Sequence, residues 1–315
     1  MRLKPAAAVA ALALLTACGG NPAGSTGDSI SPSASPTTSP SASQSPTRST
    51  GPATRPATGP QRIVSLSPTA PETLFAVGAG RQVVAVDKDS DYPAGVPKTQ
   101  LSGTQPNVEA IAAYNPDLVV VADDTGNLTA QLGRLSIPVV VQPAAATLAD
   151  AYGEILALGA KAGHRAQATR LVSSMRRQIA SLVKGLPRRS TSLTYYHELD
   201  NTLYTATSAT FIGRLYALAG LHDIADAASH GGNTYPQLSA EYVVRADPDL
   251  VFLADTKCCQ QSASTFANRP GFGKLTAVRD GHVIPLDDDV ASRWGPRIVD
   301  FLRRIIAVVT SIPNR

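Results

Sequence analysis

Six side chains have the types and placement for ligand recognition: Tyr92, Tyr204, Tyr235, Asp289, Arg293 and the only tryptophan, Trp294. Five of them follow short apolar runs, and Tyr235 sits in a Tyr-Pro-Gln turn ahead of a helical run. Aromatic faces contribute ~0.5–1.5 kcal/mol beyond simple burial, and an acid beside an arginine adds oriented polar contacts. That set suits a large planar or caged molecule. Glu109 and Glu241 each open a helical run, where the helix dipole favours a carboxylate by ~0.3–1 kcal/mol. The adjacent pair Cys258-Cys259 has three open readings: a vicinal disulfide, free thiols, or a contact to a metal carried by a ligand. A bridge would be cramped, because neighbouring Cα atoms sit ~3.8 Å apart against a usual 4.4–6.8 Å. Catalytic signatures are missing: there is no Gly-x-Ser-x-Gly elbow, P-loop or His-Glu-x-x-His. His164, His197, His222, His230 and His282 show no metal-ligand spacing, so neither a resident metal nor a cofactor is expected.

The elements that must position these groups read as α/β. Residues 63–66, 83–86, 118–121 and 139–141 are continuous apolar strands, as in a sheet covered on both faces. Helical spacing between them, at 71–77, 108–114 and 128–135, gives the order β-α-β-α-β-α-β and hence parallel strands with right-handed crossovers. Helices follow at 148–162 and 165–183, the second with Leu171, Met175, Ile179 and Leu182 on one stripe. The alternation then resumes, with strands at 193–196, 250–253 and 282–285 and helices at 211–219, 240–245 and 297–309. The chain therefore divides into a first lobe at 61–162, a linking helix at 163–186 and a second lobe at 187–315. An echo at a constant offset of 132 relates 107–123 to 239–255: each copy has a glutamate at the helix start, a Pro-Asp turn and a strand ending in Ala-Asp. Ligands of open α/β sheets bind beyond the carboxyl ends of the strands, and the six recognition residues fall there.

The first sixty residues belong to something else. Arg2 and Lys4 precede an apolar core, and residues 1–17 read as an export signal too short to span a bilayer. Of the 42 residues from 19 to 60, 36 are Ser, Thr, Pro, Ala or Gly, so 18–60 reads as a tether with no apolar face to fold on. The net charge of +4 is concentrated at this end. Without Arg2, Lys4, Arg48, Arg55 and Asp28, the remainder carries 24 basic and 23 acidic residues, with no basic face for nucleic acid.

Several stretches together resemble the periplasmic-binding fold of ABC importers for vitamin B12 and ferric siderophores. They are Arg62-Ile-Val-Ser-Leu-Ser-Pro, Ser90-Asp-Tyr-Pro, residues 107–123, Tyr235-Pro-Gln-Leu-Ser-Ala-Glu, the run from Arg269-Pro-Gly-Phe to Val283, and Pro296-Arg-Ile. The resemblance covers 62–315 and lies nearest to the B12-binding members. It implies two α/β lobes joined by one rigid helix, a ligand cleft between them, and little closure on binding. It further implies corrinoid contacts at Tyr92, Tyr235, Asp289 and Arg293, with Tyr204 a looser candidate, and pairing of Glu109 and Glu241 with arginines of a permease dimer. Ferric siderophore or haem is the alternative cargo, and a bare metal ion a remote one. Two departures bear on the pocket: the family's first-lobe tryptophan is replaced by Gly103, and a tyrosine stands at 235 in place of tryptophan. Leu15-Thr-Ala-Cys18 resembles a lipobox, which implies acylation of Cys18, a monomer anchored by lipid alone, and a place outside the cytoplasmic membrane.

Overall fold

The computed structural model describes residues 59–313. The export signal at 1–17, Cys18 and nearly all of the tether lie outside the described residues. The first sheet is built from β1 (Ile63–Leu66), β2 (Val83–Val86), β3 (Leu118–Val121) and β4 (Val139–Val141), with α1 (Ala70–Ala76), α2 (Val108–Ala112) and α3 (Leu128–Arg134) between them. Next come α4 (Leu148–Lys161) and α5 (Arg165–Lys184). The second sheet contains β5 (Thr194–Glu198), β6 (His222–Asp223), β7 (Leu250–Leu253) and β8 (Val283–Pro285). Its helices are α6 (Phe211–Leu218), α7 (Ala240–Ala246), α8 (Ala263–Ala267), α9 (Thr276–Arg279), α10 (Asp288–Ser292) and α11 (Ile298–Ser311).

Both sheets are wholly parallel, in the orders β2-β1-β3-β4 and β6-β5-β7-β8. The 132-residue echo is therefore structural. Ile63 lies opposite Leu118 and Tyr195 opposite Leu250, the same register one offset apart. Asp117 accepts the backbone N–H of Arg62 at 2.9 Å, and Asp249 that of Thr194 at 2.8 Å, so the Pro-Asp turn caps the start of the neighbouring strand in both halves. Asn115 and Asp247 both take the left-handed conformation, φ 47° and 44°, that ends the preceding helix. Asn107 and Ser239 both cap the next helix by accepting an N–H from its third residue.

Alternate residues of each strand enter different cores, as the period of two requires. Val64, Leu66, Val119 and Val121 fill one side of the first sheet, and Val251 and Leu253 one side of the second. Ile63, Leu118, Val120, Leu250 and Phe252 instead join a single apolar core that runs through α4, α5 and α11 and serves both sheets. Helix α5 packs on α4 and on α11. Its buried stripe is Ala168, Val172, Met175 and Ile179, with Leu171 and Leu182 only partly covered, so the inward face is turned from the expected one toward the short side chains. A rigid link between halves is the natural result of a shared core, because packed interiors transmit strain rather than absorb it. Among the described residues no helix is long and apolar enough to cross a membrane.

Three short helices, α8 to α10, and the two-residue strand β6 were not expected from apolar periodicity. Strand β5 also runs two residues further than expected, which draws His197 and Glu198 out of the anticipated mouth and into the sheet, both fully buried.

Candidate functional site

The carboxyl ends of the strands carry two hollows, one on each side of the turn Arg293-Trp294-Gly295-Pro296-Arg297. The first, about 250 Å³, is bounded by Ala144–Ala146 after β4, the start of α6, Tyr235 and Trp294. The second, about 270 Å³, is bounded by Glu72 and Phe75 of α1, Tyr92, Arg297 and Asp300. Both draw walls from the two halves. Together they reach the scale of small-molecule sites, ~300–1,000 Å³.

Tyr235 and Tyr204 lie on two extended segments that pair antiparallel, with Tyr204 opposite Gln237 and the Thr205 N–H donating to the Pro236 carbonyl at 3.0 Å. By the alternation of such a ribbon the two tyrosines share its outer face as diagonal neighbours. Tyr204 is 42% exposed, Tyr235 54% and Tyr92 41%. Large side chains left that open at strand tips are groups with a surface still to bury. Trp294 is half-buried instead, its indole Nε1–H donating to Glu154 of α4 at 2.7 Å.

Arg293 sits deeper than an exposed ligand contact would. It is 9% exposed and donates to Asp289 at 2.6 Å, to Asp91 at 3.1 Å and to the Asp89 carbonyl at 3.1 Å. Its guanidinium also lies 3.6 Å from Glu72. Arg297 bonds Glu72 directly and stacks over the Tyr92 ring at 4.0 Å. One buried carboxylate on α1 is thus wrapped by a five-residue turn from the other half. Gly295 lets the turn lie close on that carboxylate: a Cβ there would sit 2.9 Å from Glu72 Oε2 and displace the end of that side chain. The charges set each other. Burial would raise the Asp91 carboxyl, but Arg293 outweighs it and holds the group below its ordinary range. Burial would lower Lys257, but Asp289 and Asp287 hold its ammonium up. The expected ligand residues Tyr92, Asp289 and Arg293 are therefore brought together in one network, with Tyr235 and Trp294 on its other flank.

Gly103 stands against the first strand: a Cβ there would meet the Leu66 carbonyl oxygen at 2.4 Å. The present backbone leaves no room for any side chain, so the first half lends the cleft no aromatic ring at that position. Glu109 and Glu241 are exposed in the first turns of α2 and α7. Crossover helices run opposite to their strands, so both carboxylates stand at the strand-tip edge, one per half. The Glu241 carboxyl is lowered by hydrogen bonds from its own backbone N–H and from Ser239. Cys258 and Cys259 are thiols on the loop after β7.

Sequence reasoning missed Glu72 and Lys257. An acid inside the apolar run 70–77 is the signal that was there to find, since a buried carboxylate demands a cation. It missed as well a second buried group: Glu198 accepts two bonds from Arg269, at 2.6 and 2.7 Å, beside Asp255. Neither carboxylate oxygen of Asp255 has a partner among the described residues. Burial first, and the charge of Glu198 second, push its carboxyl up to about 8. His197 bonds the Tyr216 hydroxyl at 2.9 Å, and burial lowers it to about 4, so it is a neutral core residue and not part of the mouth. Among the described residues no group of three or more His, Cys, Asp or Glu is placed to hold a metal ion.

Comparison with known proteins accords with this geometry. The family model described as "Periplasmic binding protein" matches residues 63–290. A cobalamin-binding protein of Halobacterium salinarum is 32% identical over 255 residues, covering 78% of this chain and 68% of that protein. An ABC transporter substrate-binding lipoprotein of Bacillus subtilis, itself uncharacterised, is 28% identical over 254 residues, 76% of this chain and 77% of that one. Among solved structures, a periplasmic heme-binding protein of Roseiflexus sp. RS-1 superposes with a TM-score of 0.69 at 24% identity, covering 80% of this chain and 98% of its own. Each is named as a binding protein, and the solved structure shares the two-sheet α/β fold. This chain belongs to the periplasmic binding protein family.

Proposed function

We propose that the protein is the extracytoplasmic receptor of an ABC importer and that it captures a cobalt corrinoid, cobalamin above all, in the cleft between its lobes. The observation that carries this reading is the pair of exposed tyrosines, Tyr92 and Tyr235, lining the two hollows beside the Arg293–Trp294 turn, with exposed Tyr204 on the ribbon next to Tyr235. Each ring has on the order of 100 Å² left to cover, which corresponds to about 2 kcal/mol apiece. Asp289 and Arg293, bonded to each other and to Lys257 and Asp91, form a rigid charged floor under the rings, and Trp294 closes the opposite wall. Similarity to the archaeal cobalamin-binding protein supports the same cargo. Binding involves no bond making, so the chain is a receptor and not an enzyme.

The lobes are 61–162 and 187–315, with the helix at 163–186 between them. The core shared through α4, α5 and α11 permits only a small closure. Cys18, once acylated, anchors the monomer to the outer face of the membrane through the tether at 18–60. Glu109 and Glu241, pseudo-equivalent and exposed, meet a two-fold permease dimer, one per subunit. Exposed ion pairs are worth only ~0.2–1 kcal/mol each, so their work is register and encounter rate.

A second reading, a ferric siderophore or haem as cargo, is favoured by one feature: exposed phenols are oxygen donors of the kind that hold ferric iron. Titration decides between them. Cyanocobalamin, hemin and a ferric hydroxamate siderophore are added separately to the protein while emission of the sole tryptophan, Trp294, is followed. Saturable quenching by cyanocobalamin, with colour retained through gel filtration, is expected. Retention of hemin or the siderophore with no response to the corrinoid would overturn the assignment.

A further inference from the structure

Cys258 and Cys259 line neither hollow, yet they are the only cysteines among the described residues, and their Sγ atoms lie 2.6 Å apart. The loop that carries them is tied down on every side. The Asp288 carboxylate accepts the backbone N–H of Thr256 at 2.8 Å, of Lys257 at 2.9 Å and of Cys258 at 3.0 Å, and the Thr256 hydroxyl at 2.8 Å. The Asp255 carbonyl accepts from Cys259 and from Gln261, both at 3.2 Å. The thiols are thus held face to face by the backbone. The same loop reaches the cleft. Lys257 donates to Asp289 at 2.5 Å, and the other oxygen of Asp289 holds Arg293 at 2.6 Å, next to Trp294.

We propose that Cys258–Cys259 is a redox modification site: it closes into a vicinal disulfide by exchange with an external low-molecular-weight disulfide, and closure moves the Asp289–Arg293–Trp294 segment. One thiol gives its proton to solvent, and its thiolate attacks a sulfur of the external disulfide. The first external thiolate leaves and takes up a proton. The second protein thiol, deprotonated in turn, attacks the protein sulfur of the mixed disulfide and expels the second external thiolate. Two protein thiols and one disulfide become one protein disulfide and two external thiols, with two electrons passing to the reagent.

Bridging neighbours strains the peptide between them, because their ~3.8 Å Cα separation is short of the usual 4.4–6.8 Å. The peptide between the cysteines carries the Cys259 N–H, so that rotation turns it away from the Asp255 carbonyl. Lys257, next to Cys258 and held to Asp288 by its own N–H, shifts with the loop and loosens its hold on Asp289. Burial first, then Cys259 and Asp288, push the Cys258 thiol up to about 12, so little thiolate is present at neutral pH. Exchange is therefore slow at neutral pH, and the strained, exposed bridge, once closed, is the readily reduced kind, so the modification is reversible.

The test uses the full chain, reduced and then incubated with oxidised glutathione, followed by alkylation and peptide mass. The reduced sample should take two alkyl groups on the peptide bearing 258 and 259. The oxidised sample should take none and be lighter by two hydrogens, and its Trp294 emission should shift. Cys258→Ser should stop at a glutathione adduct, and the double variant Cys258→Ser/Cys259→Ser, folded by circular dichroism, should show no response. Two alkyl groups after oxidation, a lasting glutathione adduct on the native pair, chains joined to one another, or closure with unchanged Trp294 emission would each overturn the proposal. None of these readouts needs the cargo, so they stand apart from the corrinoid titration.

Discussion

The two lobes share a main-chain plan and differ at their strand tips. Their capping bonds, left-handed turns, helix caps and strand registers coincide at one offset. At the tips the coincidence stops. Leu66, apolar and buried, is matched by Glu198, and exposed Asp123 by fully buried Asp255. The second lobe therefore needs Arg269 from a distant loop to hold charges for which the first has no counterpart. Scaffold positions keep their bonds even where the residue differs, Asn107 against Ser239 and Asn115 against Asp247, because each bond satisfies a backbone group. Tip residues diverge, and their charges are answered within the second lobe for Glu198 but across the lobes for Glu72 and Asp91. A partner that reads helix starts meets two like halves, whereas a ligand in the cleft meets two unlike walls.

The sharpest way to break that contrast is Arg269→Met. It leaves Glu198 buried without its cation, and removing one member of a buried pair costs about 3–5 kcal/mol. Adding Glu198→Leu, the first lobe's own solution, should recover most of the loss, since apolar replacement of a buried pair is often neutral. Urea denaturation midpoints measure both. If the single change costs under ~1 kcal/mol, the second lobe does not depend on its ion pair as described. The next test sharpens the likeness. Asp117→Ala orphans the N–H groups of Gln61 and Arg62, and Asp249→Ala the N–H and hydroxyl of Thr194, two donors in each case and a loss of about 1–3 kcal/mol. The two losses should agree within about 0.5 kcal/mol; a gap larger than that would mean the repeated turn does unequal work.

These particulars show how far the sequence could be read. Strands β1, β3 and β7 were legible because burial on both faces leaves nearly all their residues apolar, Ser65 being the exception, and the echo at 132 because the Pro-Asp turn and its flanking acids recur in sequence at a constant spacing. Strand β5 was cut short at Tyr196, since His197 and Glu198 look like a loop until Arg269, 71 residues on, is seen to answer the acid. Helix α8 lacked an apolar period, although its Ser262–Thr265 capping box was visible in principle. At the site, residue types marked Tyr92, Tyr235 and Arg293 as candidates. The bond of Arg293 to Asp91, 202 residues away, and its approach to Glu72 are set by how the lobes meet, and no local pattern encodes that.

Acidity separates the lobes further. The Asp255 carboxyl is raised from 3.8 to about 8, so the folded state holds a proton that the unfolded state has lost, and this stabilises the fold at low pH. That contribution drains away as pH rises through 8. Asp223, raised to about 7 mainly by burial, acts in the same sense. His197, lowered from 6.5 to about 4, acts oppositely but only below about 6.5, where the unfolded state gains its proton first. Between about pH 6.5 and 8 the melting temperature should therefore fall, and Asp255→Asn should flatten the slope. An unchanged slope would show that Asp255 is ionised in the fold. The first lobe offers Asp87 and Glu154, both raised chiefly by burial but neither as far as Asp255, so its local stability should vary less over the same window by hydrogen exchange.

The smallest effect on the fold belongs to Glu109 and Glu241, and it is the most informative about function. Both are exposed, and no hydrogen bond or ion pair ties either to a distant part of the chain, so Glu109→Arg with Glu241→Arg should shift stability by less than about 0.5 kcal/mol per site. Cargo affinity should also hold, since the hollows are bounded by other elements. Uptake by cells should collapse, because reversed charges at a symmetric pair of contacts repel both subunits of a two-fold permease at once. Each single reversal should be intermediate and similar to the other, as pseudo-equivalent positions require. Loss of cargo binding in the double variant would place these glutamates in the cleft, and wild-type uptake would remove them from docking. A strongly unequal pair of single effects would show that the partner does not read the two halves as alike.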